Sequence, residues 1–91
     1  MSNRIKLDDL RYLCARLNEV TNSPKEPWTR GEDKKLRANV GNYHLGQAYG
    51  GVQLQRMHNE GGGITTPIPM GYETKRDAYN MIQSYLWGLE A

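Results

Sequence analysis

Apolar positions recur every three to four residues over 7–21. Leu7, Leu10, Leu13, Cys14, Leu17 and Val20 share one side, with Arg11, Arg16 and Glu19 opposite, which is the period of an amphipathic helix. Asp8 and Asp9 sit in its first turn, where carboxylates favour the positive helix end. Asn22-Ser23-Pro24 ends it, because the residue before a proline avoids the helical region. The same period returns near the C-terminus, where Ala78, Met81, Ile82, Tyr85, Leu86 and Leu89 form a stripe. Thr74 and Asp77 before that stripe resemble a capping box, whose usual fourth residue is Glu or Gln.

Between the helices the period changes to two. Leu36, Ala38 and Val40 alternate with Arg37 and Asn39 over 36–41, as in a half-buried strand. A second strand, 43–48, turns Tyr43 and Leu45 inward. A third, 51–58, turns Val52 and Leu54 inward and Gln53 and Gln55 outward. Alternation fails at Arg56, which predicts a bulge or a strand end there. Gly50-Gly51 supplies the positive φ angles of a hairpin turn. The polar loop 23–35 contains Trp28, which is expected either to fold back on the core as a lid or to stand out as an exposed aromatic contact. Ile64 and Ile68 are expected to anchor the connection that follows Gly61-Gly62-Gly63.

The pattern predicts an α+β fold of order α-β-β-β-α, a single domain over 1–91. A three-stranded antiparallel sheet carries both helices packed on one face, each element burying one apolar side. The other face must then be solvated or covered by a second subunit. Composition supports the second option. Only 37% of the 91 residues are hydrophobic and there is no Phe, so six Tyr and two Trp supply the large apolar area. A domain this small buries only about 60% of its unfolded surface. A homodimer is therefore expected.

Charge and chemistry narrow the function. The net charge of +2 permits a nucleic-acid partner without requiring one. Cys14 is the one cysteine and lies on an apolar helix face, where a thiol acts as a small buried hydrophobe. His44, His58 and Cys14 lack any metal-ligand spacing, so no metal is expected. No nucleophile has a base and an orienting third group beside it, so the expectation is no catalytic residue, no cofactor and no enzyme. Gly61-Gly62-Gly63 has backbone N–H groups that could cradle a phosphate, but the Lys-Ser/Thr of a P-loop does not follow. Lys75-Arg76 opens the last helix, where cations would add charge to free N–H groups at an anion site. No apolar run approaches the roughly 20 residues that span a membrane, and the N-terminus has no signal-peptide core.

Two resemblances follow from particular stretches. Gly71-Tyr72-Glu73-Thr74-Lys75-Arg76-Asp77-Ala78, with the order α-β-β-β-α, is similar to the second helix start of double-stranded-RNA-binding domains. That resemblance implies phosphate contacts from Lys75 and Arg76 and a groove contact from His44, extended by Arg11 and Arg16. Tyr79 stands in place of the family's third lysine, and Gly41-Asn42-Tyr43-His44 lacks the family's loop proline. Over nearly the whole chain, Ala15-Arg16-Leu17-Asn18, Glu26-Pro27-Trp28-Thr29-Arg30, Asn39 to Leu45 and Ala48-Tyr49-Gly50-Gly51 resemble small uncharacterised accessory proteins of tailed bacteriophages and prophages. That resemblance implies a location in the host cytoplasm and a role in binding a host or defence macromolecule, with no known reaction.

The residues expected to make contact are Tyr43, His44, Tyr49, Gln53, Gln55 and Arg56 on the hairpin, whose outward row is the expected surface, with Lys75, Arg76 and Trp28. The partner expected is a host or defence protein. The alternatives are a nucleotide, held by the glycine loop, stacked tyrosines and Lys75-Arg76, or a nucleic acid.

Overall fold

The computed structural model describes residues 4–91. The first three residues, part of the span read as one domain without a signal segment, lie outside the described residues. Helix α1 spans Leu7–Val20, followed by strands β1 (Trp28–Arg30), β2 (Leu36–Ala38), β3 (Tyr43–Ala48), β4 (Gly51–Met57) and β5 (Ile64–Thr65), and helix α2 (Lys75–Glu90). The fold is α+β, as the pattern predicts.

Both helices form where the stripes place them. The backbone N–H of Lys6 donates to the Asp9 carboxylate at 2.8 Å, and Thr74 Oγ1 accepts from the Asp77 N–H at 3.2 Å. The end of α1 is set by Asn22 rather than by Pro24 alone. Asn22 takes φ 56°, and the N–H groups of Ser23 and Asn22 return to the carbonyls of Asn18 and Glu19, the two bonds of a Schellman cap. Leu10, Leu13, Cys14 and Leu17 of α1 meet Ala78, Ile82 and Leu86 of α2 over Tyr43, Val52 and Leu54 of the sheet. The helices run in the same sense: Arg4 and Lys75 line one cleft near their starts, and Arg16 reaches Glu90 at 3.1 Å further along.

The strands differ from the expectation. There are two sheets, β1-β2 and β3-β4-β5. The strand expected at 36–41 ends at Ala38 and pairs with Trp28–Arg30, not with β3. Asn39 and Gly41, the latter at φ 96°, turn the chain before β3. Of the expected inward row only Ala38 is buried; Leu36 and Val40 are exposed. The alternation there belongs to a surface hairpin, so it does not build the main sheet. Nor is there a bulge at Arg56. Tyr43 faces Arg56 in an unbroken register, and β4 ends one residue later.

The third strand of the main sheet is β5, with Met57 opposite Ile64. Beyond it the chain leaves the sheet edge and returns at Glu73, which pairs with Val52. In the intervening segment, the backbone of residues 70–72 lies against the sheet face opposite the helices, while the Ile68 and Met70 side chains pack against the core. The Met70 carbonyl accepts from Gln53 Nε2 at 3.2 Å, and Tyr72 OH lies 3.3 Å from Gln55 Nε2. The β4 part of that face is thus covered by residues 70–72, and Gln53 and Gln55, expected outward and open, are buried.

Candidate functional site

The β3–β4 hairpin carries most of the residues singled out in the sequence, and the structure divides them into two groups. In its body they bond to one another. Asn42 Nδ2 donates to the Pro24 carbonyl at 2.8 Å. His44 then places Nδ1 3.3 Å from Asn42 Oδ1 and Nε2 3.2 Å from Gln55 Oε1. Gln55 Nε2 donates to Gln53 Oε1 at 2.9 Å, and Gln53 ends the chain on the Met70 carbonyl. Both ends are backbone carbonyls, which accept only, so each amide turns its oxygen toward His44; a neutral imidazole carries one N–H, so only one of the two His44 contacts at a time is a hydrogen bond. Gly46 lies opposite Gln53, and a Cβ there would occupy the space of the Gln55 amide. A buried polar network of this kind is stabilising when every member is satisfied.

On the helix-facing side, Tyr43 is buried. Its hydroxyl lies 3.0 Å from that of Tyr85, and burial, then the Tyr85 contact, pushes it up to about 12. The Arg56 guanidinium lies 4.6 Å from the Tyr43 ring centroid, and its Nε donates to the Gly41 carbonyl at 3.0 Å. Cys14 beneath them is pushed up to about 12 by burial, which removes the thiolate that nucleophilic chemistry needs.

Trp28 lies on β1 rather than in a loop. Its ring covers Gly62, where a Cβ would lie 2.7 Å from the ring edge, and it stays partly exposed. Gly62 takes φ 94°. The N–H groups of the three glycines are already used: Asn59 Oδ1 accepts from Gly61 and Gly63, and the Asn59 carbonyl accepts from Gly62. They do not form a phosphate cradle. Arg11 bonds Asp8, and Arg16 bonds Glu19 and Glu90, so the basic track on α1 is balanced by carboxylates.

The second group lies at the hairpin tip. Ala48 pairs with Gly51, so the two-residue turn is Tyr49-Gly50, one position before the glycine pair that marked it. Both take positive φ, 54° and 73°, as a type I′ turn requires. Gly51 serves differently: a Cβ there would lie 2.7 Å from the Tyr72 carbonyl oxygen. Tyr49 is 95% exposed and meets the edge of Tyr72 at 5.6 Å between centroids. Beside the tip a cleft of about 1020 Å³ runs to the start of α2, lined by Gln47, Gly51, Thr74, Lys75, Arg76 and Arg4. Sequence reasoning found Lys75 and Arg76 from the helix start; Arg4 joins them only through packing, and no local pattern marks it. Among the described residues no group of three or more His, Cys, Asp or Glu could hold a metal, and no helix is long and apolar enough to cross a membrane.

Searches of protein-family models, curated proteins and solved structures found no match to this chain.

Proposed function

We propose that this chain is a non-enzymatic accessory protein of the phage type that acts by binding a host or defence protein through the tip of the β3–β4 hairpin. The observation that carries this reading is Tyr49. A bulky residue at φ 54° costs about 1 kcal/mol against glycine or asparagine, and a ring left 95% exposed recovers little of that by burial. The fold gains almost nothing from it, whereas exposed tyrosines beside arginine are the residues that dominate protein interfaces. Tyr72 and Arg76 extend the same surface.

The test compares the tagged protein with its Tyr49→Asn variant in a bacterial lysate, using quantitative mass spectrometry. Asparagine keeps the turn and removes the ring. The expected result is a protein enriched by the original chain and lost with the variant. Equal recovery with both, or no specific protein, overturns the reading.

A second reading rests on the cleft beside α2. Arg4, Lys75 and Arg76 at a helix N-terminus suit a phosphate-bearing ligand. Labelled duplex RNA and nucleotides titrated at low salt test it. Binding should weaken with added salt, and the slope should flatten by roughly one to two units when Lys75 and Arg76 are both replaced by Gln.

A further inference from the structure

Strand β3 is an edge strand, and the main-chain groups of two of its 6 residues are unused. In the β3–β4 register the even-numbered residues His44, Gly46 and Ala48 turn their N–H and C=O toward β4, and the odd-numbered ones turn away. Tyr43 confirms the phase: its N–H donates to Asn18 Oδ1 at 2.7 Å and its carbonyl accepts from Asn18 Nδ2 at 3.0 Å. The Asn18 amide thus fills the place of a neighbouring strand for one rung. The next two rungs are Leu45 and Gln47, and among the described residues nothing bonds their N–H or C=O groups. They are spaced about 6.8 Å apart, two residues of extended chain.

Edge strands are usually blunted by lysine, proline, a bulge or a covering segment. β3 reads Tyr-His-Leu-Gly-Gln-Ala with a regular register and has none of the first three. What lies alongside is a groove of about 520 Å³ between the edge, α1 and the 25–27 segment, lined by Arg11, Cys14, Ala15, Pro27, Leu45 and Gln47. Its walls combine the apolar Ala15 and Leu45 with the charged Arg11, Lys25 and Glu26, and the strand edge adds two donors and two acceptors in strand geometry. An extended main chain supplies that complement; a helix does not, since its own backbone bonds are internal.

We infer that the edge of β3 from Leu45 to Gln47 is a docking site for a short extended segment of a partner protein, added as a further strand beside Asn18. This rests on the protein-binding function proposed above and names the surface and the kind of partner. The mode is strand addition: main-chain bonds give affinity, and alternate side chains of the segment meet Ala15 and Leu45. The segment carries a small or aliphatic side chain at the position facing α1 and no proline opposite Leu45 or Gln47. Gln47 also lines the cleft at the hairpin tip, so the two surfaces are continuous.

The probe is a peptide selected from a random twelve-residue display library against the intact protein, read by amide hydrogen exchange. In the free protein, Leu45 and Gln47 amides should exchange rapidly while His44, Gly46 and Ala48 are protected. Bound peptide should slow Leu45 and Gln47 by tenfold or more, about 1.4 kcal/mol or above. Gln47→Pro removes an N–H that makes no bond in the fold, a position where edge strands tolerate proline. It should weaken the peptide at least about tenfold, whereas Gln47→Ala should not.

Leu45 and Gln47 amides protected in the free protein overturn the site without any variant. So does failure of the library to yield a peptide that protects them, and so does protection that rises with protein concentration alone, which would assign the edge to a second copy. A host protein lost with Tyr49→Asn that leaves these two amides unprotected overturns the edge and keeps the proposed function. Absence of any such protein fails the function instead.

Discussion

The body and the tip of the β3–β4 hairpin contain similar residues and put them to opposite uses. In the body, Asn42, His44, Gln53 and Gln55 close on one another between two backbone carbonyls, with Tyr43 clamped between Tyr85 and Arg56. At the tip, Tyr49 stands open at a strained φ. A small domain without Phe spends its polar and aromatic side chains on structure first. The ones to read as functional are those that the structure does not use. The comparison predicts that body substitutions cost stability, and that tip substitutions cost binding.

The largest expected effect is on the helix-facing side of the body. Leu54 is fully buried in the core, and Leu54→Ala should destabilise by about 3 kcal/mol, measured by urea unfolding. On the opposite face, Gln55→Ala leaves His44, Gln53 and Tyr72 without their shared partner. The expected loss is about 2 kcal/mol. A loss as small as that of an exposed Gln, such as Gln47→Ala, would mean that the polar face is not a structural network.

Alkaline pH should separate body from tip without mutation. Cys14 is held protonated when folded, up to about 12, while in the unfolded chain it ionises near its ordinary value of 9. Above that value the unfolded state alone releases the proton. Stability is therefore complete below pH 9 and falls as pH rises toward 12, by up to about 1.4 kcal/mol per unit. Tyr43, also pushed up to about 12, adds to the fall in the same direction from pH 10 upward. Urea melts from pH 7 to 10.5 measure it, and Cys14→Ala should remove the part that begins at pH 9.

How much of this was readable in the chain depends on the scale of the signal. Both helices were, since a stripe of Leu residues and the Thr74 cap are local. The β3–β4 pairing was, since Tyr43, Leu45, Val52 and Leu54 alternate around a short turn. The sheet assignment of 36–41 was not, because alternation says that a strand has two faces and not which strand it joins. The burial of Gln53 and Gln55 was hidden for a related reason: residues 70–72 cover them through contacts set by the whole fold. The turn lay where strands 43–48 and 51–58 leave it, but its positive φ angles were assigned to Gly50-Gly51 because that looks like a turn pair, whereas Tyr49 and Gly50 take them and Gly51 is needed for close approach of the Tyr72 backbone. At the site, Lys75 and Arg76 were visible from the helix start. The open edge at Leu45 and Gln47 was not, because it depends on which side of β3 receives β4.

The smallest change in stability belongs to Tyr49→Asn, and it tests the comparison most directly when stability and binding are measured on the same variant. Asparagine before glycine suits the turn, so the variant should be about 0.5 kcal/mol more stable, a rise in Tm of about 3 °C, while losing the partner captured by the original chain. A variant that melts lower than the original, or that captures the same partner equally well, would contradict the claim that Tyr49 serves binding at the expense of the fold.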